Sequence, residues 1–359
     1  MAMLSSSRMK GRTISSARRW QQAHAFRRHF LRLAGLSLLF LTFSSFASDT
    51  PYKYFRVGNP SDAHPSSIKP GFALIGGGED LNDAFLWLCK NSAGGDFLVL
   101  RASGDAEYNE YTKALCHENS VATLVIPNRD AAQTPFVAES IRNAEAIFIS
   151  GGNQANYVNF WGDTPVQKEI NDAIGRGIPL GGTSAGLAVQ GEFMYSAQND
   201  PPDGPDLSST MALADPFHRR VVIVRDFLRI PILKGTITDT HFSKRDRMGR
   251  LLVFMARILQ SGDAKSIHAI GVDEHTAVLL DPEGSARVMG TGAAYFLSAA
   301  SMPAECRQGT SLTFEGVSVQ KLTASDRFDI EHWHGGTISY TLSVRAGKVR
   351  SSQASGSIY

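Results

Sequence analysis

A doubly wound α/β fold with a mostly parallel sheet, carrying a β-rich C-terminal extension, is what the patterning of this chain predicts. Three observations carry that expectation. Short apolar runs alternate with segments of helical periodicity between Phe72 and Leu180, the pattern of strands joined by crossover helices. Glycine clusters stand at the ends of several of those runs, where such sheets bind ligands. Past Pro282 the helical pattern gives way to alternation such as Leu312, Phe314, Val317 and Val319, which reads as an added sheet completing the fold.

The first segment, 1–47, reads as a secretory signal. Residues 1–48 hold eight Lys or Arg and no acid, Ala34 to Phe43 is an apolar run, and Ser45-Phe46-Ala47 is a small-x-small cleavage pattern. Arg27-Arg28-His29-Phe30-Leu31-Arg32 also resembles a twin-arginine signal, so folded export and ordinary secretion both stay open. The apolar run is too short for a stable membrane span, and a periplasmic or extracellular location is expected. Removing eight cations from 36 leaves 28 against 34 acids, a formal charge of −6. A mildly acidic mature chain gives no electrostatic case for nucleic acid and tolerates a cationic substrate. A homodimer is an open alternative to a monomer.

Residues 48–70 form a polar lead, 71–285 the expected catalytic domain, and 286–359 a β-rich part packed on it. Phe72 to Ile75 is the first core strand, followed by Gly76-Gly77-Gly78 and a helix with Asp80 as its cap. G-x-G-x-x-G is absent, so the glycine triplet is discounted as a dinucleotide loop. Strands are expected at Phe97–Leu100, Thr123–Ile126, Ala146–Ser150 and Ile178–Leu180, with helices at Tyr108–Leu115, Pro135–Arg142 and Pro165–Ile174. Thr164, Pro165 and Gln167 supply the last helix with a cap, a first-turn proline and a capping-box partner. Three cysteines make no disulfide framework; Cys89 falls on the apolar face of its helix, so burial, rather than a bridge to Cys116, is its expected role.

The chemistry concentrates at Ile178 to Gln190, where Gly182-Thr183-Ser184-Ala185-Gly186 spells G-x-S-x-G between an apolar strand and a helix start. A serine on a sharp turn needs neighbours without bulk, and the Ala185 N–H then faces a developing oxyanion. Ser150-Gly151-Gly152-Asn153-Gln154 ends the preceding strand, and the backbone at Gly152 is the candidate for the second oxyanion donor. Downstream, Gly235 to Thr238 leads into Asp239-Thr240-His241 and then Arg245, Arg247 and Arg250. His241 is the candidate base for Ser184, and the arginines suit a substrate carboxylate. Ile267 to Val272 ends in Asp273-Glu274. Glu274 is placed behind His241, with Asp239 and Asp273 as rivals. The 197–218 stretch, rich in Pro, Gly, Asp and Ser, is a long loop beside the site or a disordered insertion. Glu331-His332-Trp333-His334 lacks metal-ligand spacing, so no metal or cofactor is expected.

GGTSAG, SGGNQ, DTHFSKRDRMGRLL and GVDEHTAVLLD, in this order and spacing, resemble the cyanophycinases of peptidase family S51, which also contains dipeptidase E. The resemblance covers about residues 70–285. It implies a three-layer α/β/α fold of the class I glutamine amidotransferase type and hydrolysis of cyanophycin, a polyaspartate bearing β-linked arginines, to β-Asp-Arg dipeptides. By position it implies Ser184 as nucleophile, His241 as base, Glu274 as third member, and Gln154, Asp239, Arg245, Arg247 and Arg250 as substrate-binding or otherwise conserved positions. Two departures bear on substrate: Thr240 stands where the family has Gln, and Asp246 where it has Gly. The alternatives are an S51 peptidase acting on Asp- or isoaspartyl-containing peptides, an α/β-hydrolase esterase, and an inactive binding protein. The esterase is disfavoured because His241 precedes Glu274, the reverse of that fold's order.

Overall fold

The computed structural model describes residues 50–202 and 204–359; the expected signal segment 1–47 lies outside them. The first of two sheets runs, edge to edge, Lys53–Gly58, Ser120–Val125, Asp96–Arg101, Ala146–Ile149, Leu180–Thr183, Phe72–Ile75, Thr276–Leu280, Ser285–Gly290, Arg327–Asp329 and His334–Gly335. Its five strands from Ser120–Val125 to Phe72–Ile75 are parallel, and the flanking strands are antiparallel. The alternate residues of these strands are apolar on both faces, as a sheet covered on both sides requires. On one face Phe97, Val99 and Phe148 meet Phe85 and Leu88 of the helix Asn82–Ser92. On the other, Leu98, Leu100, Ile147 and Ile149 meet Val137, Ile141, Val166 and Ile170 of the helices Pro135–Arg142 and Pro165–Gly175.

The expected α/β architecture with added C-terminal strands is present, but those strands do not form one appendage. They divide between the first sheet and a second, ordered Lys348–Ser351, Ile338–Arg345, Phe314–Leu322, Ala294–Ala299, Ile267–Val272, Thr236–Asp239, Phe193–Tyr195 and Ile223–Arg225. One face of the second sheet shares a core with the first through Ile270, Val272 and Phe296. Its other face is covered by Leu251, Leu252, Met255 and Ile258 of the helix Met248–Ser261. Pairing between strands distant in sequence decides this division, and local periodicity carries no record of it.

Four local expectations are corrected. Part of the polar lead is an edge strand, Lys53–Gly58, held antiparallel to Ser120–Val125, with Tyr52 and Tyr54 packed on Phe136. Leu81, not Asp80, caps the helix Asn82–Ser92, without a side-chain bond. At Pro165–Gly175 the Gln167 amide oxygen accepts from the Asp163 N–H at 2.7 Å while Thr164 Oγ1 donates to Trp161 O. The box closes one residue earlier than the pattern suggests. Cys89 and Cys116 are joined in a disulfide, tying that helix to the end of the helix Glu107–Leu115. Apolar placement and pairing are compatible, because the partner arrives from a neighbouring helix on the same buried face.

Candidate active site

Three adjacent parallel strands of the first sheet end together. Phe72–Ile75 runs into Gly76, Ala146–Ile149 into Ser150-Gly151-Gly152, and Leu180–Thr183, between them, into Ser184. Ser184 has φ 53° and ψ −116°, a left-handed turn that places the residue between a strand and the short helix Ala185–Ala188. A non-glycine residue so held costs about 1–3 kcal/mol, which surrounding structure must offset. The glycines permit it by close approach. A Cβ on Gly186 would stand 1.9 Å from Ile149 O, and one on Gly182 2.4 Å from Gly186 O. The Ser184 N–H is pinned to Ile75 O at 3.0 Å.

The two other groups come from the second sheet. Thr236–Asp239 and Ile267–Val272 lie side by side and parallel, with Asp239 opposite Gly271, so His241 and Glu274 leave the same edge. Ser184 Oγ lies 2.7 Å from His241 Nε2, and His241 Nδ1 lies 2.7 Å from Glu274 Oε1. A carboxylate on Nδ1 fixes the proton there and leaves Nε2 free to accept the serine hydroxyl. Burial pushes the His241 pKa down, Arg245 and Arg247 press it the same way, and Glu274 pulls against them. The imidazole therefore rests neutral at neutral pH, the form a general base needs. Glu274 is held below its ordinary value, chiefly by the hydrogen bond from His241.

The rival carboxylates are engaged elsewhere. Asp273 accepts from the N–H groups of Ser243 (2.8 Å) and Ala293 (3.1 Å), fixing the loop behind His241 without touching the ring. Asp239 takes a two-pronged pair from Arg250, Nε to Oδ2 at 2.7 Å and Nη2 to Oδ1 at 2.6 Å. Arg250 is 1% exposed and lies over the rings of Tyr195 and Phe254. Asp239 and Arg250, expected to meet substrate, thus form a buried brace, with Arg250 Nη1 reaching on to Leu207 O. Arg247 is also buried. It donates to Thr240 O and Thr240 Oγ1, both at 3.0 Å, and its pKa is pushed down to about 10 by burial. Arg245 is half-exposed, and both Arg245 and Arg247 reach Asp206 of the 197–218 stretch. That stretch, expected as loop or disorder, holds the helix Ser209–Ala214 capped by Ser208, with Leu207 and Leu213 buried.

Of the expected oxyanion groups, Ala185 directly follows Ser184. The Ala185 N–H opens the short helix, where no preceding carbonyl can take it. Gly151 stands closer to the serine than Gly152: a Cβ on Gly151 would be 3.4 Å from Ser184 Cβ, while Gly152 has φ 146°. Tyr157, unremarked in the sequence, fixes this pair by donating to Ser150 O (2.8 Å) and Gly151 O (3.1 Å). Gln154 turns aside, its amide donating to Tyr195 O at 3.2 Å.

The glycine triplet, discounted as a nucleotide loop, has a different role that sequence reasoning missed. Gly76 O accepts the His241 N–H at 2.8 Å, Gly77 O accepts that of His275 at 2.8 Å, and Gly76 donates to Thr276 O. Gly77 has φ 100°, and a Cβ there would lie 2.3 Å from His241 Cε1. The triplet is the seam that joins the two sheets and the floor beneath the histidine. Three successive glycines after a strand were the available signal; only the ring above them shows why bulk is excluded. Asp246, the departure from the family's glycine, has φ 48°, a conformation that favours glycine, and accepts a hydrogen bond from Tyr359 Oη at 3.0 Å. Two residues past Gly78, Asp80 lines an open cavity of about 410 Å³ with Arg101, Glu107, Tyr108 and Tyr111.

Comparison with known proteins gives a match to the model of Peptidase family S51 over residues 80–287. The cyanophycinase of Trichormus variabilis is 26% identical over 219 residues, covering 58% of this chain and 65% of that protein. The cyanophycinase of Synechococcus elongatus is 25% identical over 247 residues, covering 64% and 68%. The crystal structure of a peptidase from an acI-B1 Actinobacterium aligns at TM-score 0.48 and 18% identity, covering 74% of this chain and 98% of that one. Of the first of these relatives, then, the chain spans just under two thirds.

Proposed function

This chain belongs to peptidase family S51, and from that premise we propose that it is an exported serine-type peptidase that hydrolyses cyanophycin to β-Asp-Arg dipeptides. The observation that carries the reading is the hydrogen-bonded row Ser184, His241 and Glu274, closed at 2.7 Å in both links on a strained turn. Ser184 Oγ attacks the scissile carbonyl carbon while Nε2 of His241 takes its proton, forming a tetrahedral oxyanion. The N–H groups at Gly152 and Ala185 receive that oxyanion. Collapse expels the amine, which takes the proton from His241, and leaves an acyl-serine. Water, deprotonated by the same nitrogen, then releases the acid and restores the serine. Glu274 keeps the imidazole in the required tautomer and stabilises its cation throughout.

The relatives named cyanophycinase support the substrate, as does the recess beside the glycine triplet. Its lining offers a planar guanidinium the Asp80 carboxylate and the Tyr108 and Tyr111 rings, beside the Arg101–Glu107 ion pair. Export is supported by the basic, acid-free head and by the Cys89–Cys116 disulfide, a bond that persists in oxidising compartments. A second reading, cleavage of isoaspartyl or Asp-containing peptides, is favoured by the half-exposed Arg245, which would receive a small carboxylate once its internal partner Asp206 is displaced.

The test is incubation of the protein, beside Ser184→Ala, with insoluble cyanophycin and separately with isoaspartyl dipeptides, reading products by mass. β-Asp-Arg released by the wild type alone is the expected result. Release from the dipeptides only would move the assignment to the second reading, and release by neither would overturn both.

A further inference from the structure

Both arginines that follow His241 are engaged by one carboxylate from the 197–218 stretch. Arg245 Nη1 donates to Asp206 Oδ2 at 3.0 Å, and Arg247 Nη2 donates to the same oxygen. The side chain of Arg247 is 8% exposed, and its Nη1 is committed to Thr240 and Asp239. Asp206 takes Nη2, and the buried Nε is left without a partner among the described residues. The chain that delivers Asp206 is anchored on both sides. Arg220 Nη2 donates to Pro205 O at 2.7 Å, Arg250 Nη1 donates to Leu207 O at 3.3 Å, and the Leu207 side chain is buried. A carboxylate held by its neighbours over two converging guanidiniums is a built feature, unlike a surface ion pair between free side chains. The Asp206 side chain is itself 48% exposed, so the place it fills is reachable from solvent.

The place also belongs to the reacting groups. Arg245 donates its N–H to His241 O at 3.0 Å, and the charges of Arg245 and Arg247 are felt at the His241 ring. An anion seated on these arginines would place its charge within electrostatic reach of the histidine. Burial acts to raise the Asp206 pKa, yet Arg247, Arg245 and Arg250 together hold it below the ordinary carboxylate value. Asp206 is thus ionised across the neutral range and stays in place as a charge.

We propose that Asp206 is a specificity-determining residue: an internal carboxylate that occupies the Arg245–Arg247 anion site and so selects against substrates presenting a free carboxylate there, in favour of an amide or uncharged group. A substrate carboxylate must displace Asp206 before it can bind, which weakens its apparent affinity by the fraction of time the site is free. An uncharged group at that position meets no such competition. The inference rests on the proposed peptidase activity for its kinetic consequence, and on the arginine pair alone for its binding consequence.

The experiment therefore has two arms. In the first, kcat/KM is measured on matched isoaspartyl peptides that differ only in a free or amidated carboxylate beside the scissile bond. The carboxylate-to-amide ratio is expected to rise about tenfold in Asp206→Asn and to stay at the wild-type value in Asp206→Glu, which keeps the competitor. Arg245→Met, combined with Asp206→Asn, should cancel the gain. In the second arm succinate is titrated calorimetrically into the wild type and Asp206→Asn, with succinamide as the uncharged control. The variant should bind succinate about tenfold more tightly and succinamide no better. A ratio that falls, or that does not move while succinate binding is also unchanged, overturns the proposal and makes Asp206 a brace for the arginines. If the wild type turns over neither peptide, the second reading fails while the cyanophycin assay still judges the first, and the succinate titration alone decides the role of Asp206.

Discussion

Replacing Glu274 by Gln tests the arrangement at its middle link, because the substitution keeps the shape and removes only the charge. The His241 side chain is 8% exposed and that of Glu274 23%, and the two meet at 2.7 Å. An imidazolium formed there during reaction loses a charge-assisted hydrogen bond in a largely dry site. The neutral amide also accepts either ring tautomer, so Nε2 is no longer reserved for the serine. Losing a hydrogen bond to a charged partner of this kind costs about 3 kcal/mol in the transition state, roughly two hundredfold in kcat. The sign of the pH effect follows from the same geometry. His241 must be neutral to take the serine proton, so activity is present above its pKa and lost as pH falls through it. Glu274 raises that pKa against the downward push of burial, so its removal moves the acid limb of the kcat profile to lower pH. The assay is kcat against pH for the wild type, Glu274→Gln, Asp239→Asn and Asp273→Asn, with melting temperatures to separate folding losses. A Glu274→Gln enzyme within threefold of wild type, or an acid limb displaced upward, would refute the assignment of Glu274 to the histidine.

Three further perturbations follow from the contacts. Tyr157→Phe removes the hydroxyl that donates to Ser150 O and Gly151 O; kcat should fall about tenfold, with about 1–2 kcal/mol lost in a urea titration, and unchanged kcat would show that the glycine pair holds itself. Gly77→Ala places a methyl 2.3 Å from His241 Cε1, and should displace the ring and depress kcat far more than Gly175→Ala, where nothing lies within 4 Å of the new methyl. Cys89→Ser opens a loop of 27 residues, which should cost about 3–4 kcal/mol of stability, read as a drop in the urea midpoint that reductant reproduces in the wild type; equal midpoints with and without reductant would contradict it.

What the sequence determined by itself is local. Small residues at Gly182, Ala185 and Gly186 announce a sharp strand-to-helix turn because bulk there is sterically forbidden, and the core strands Phe72–Ile75 and Ala146–Ile149 fall on unbroken apolar runs. The types needed for acyl transfer, Ser184, His241 and a carboxylate near residue 273, were legible for the same reason: each ends a strand. The tertiary structure alone decided what depends on pairing between distant segments. Glu274, rather than Asp239 or Asp273, meets His241 because the parallel register of Thr236–Asp239 on Ile267–Val272 brings it there, leaving Asp239 to Arg250 and Asp273 to backbone N–H groups. The role of Gly77, the Cys89–Cys116 bond and the seat of Asp206 are of the same kind. Each is a contact across sheets, helices or an insertion, and periodicity along one chain reports which face a residue occupies but not what is packed against it.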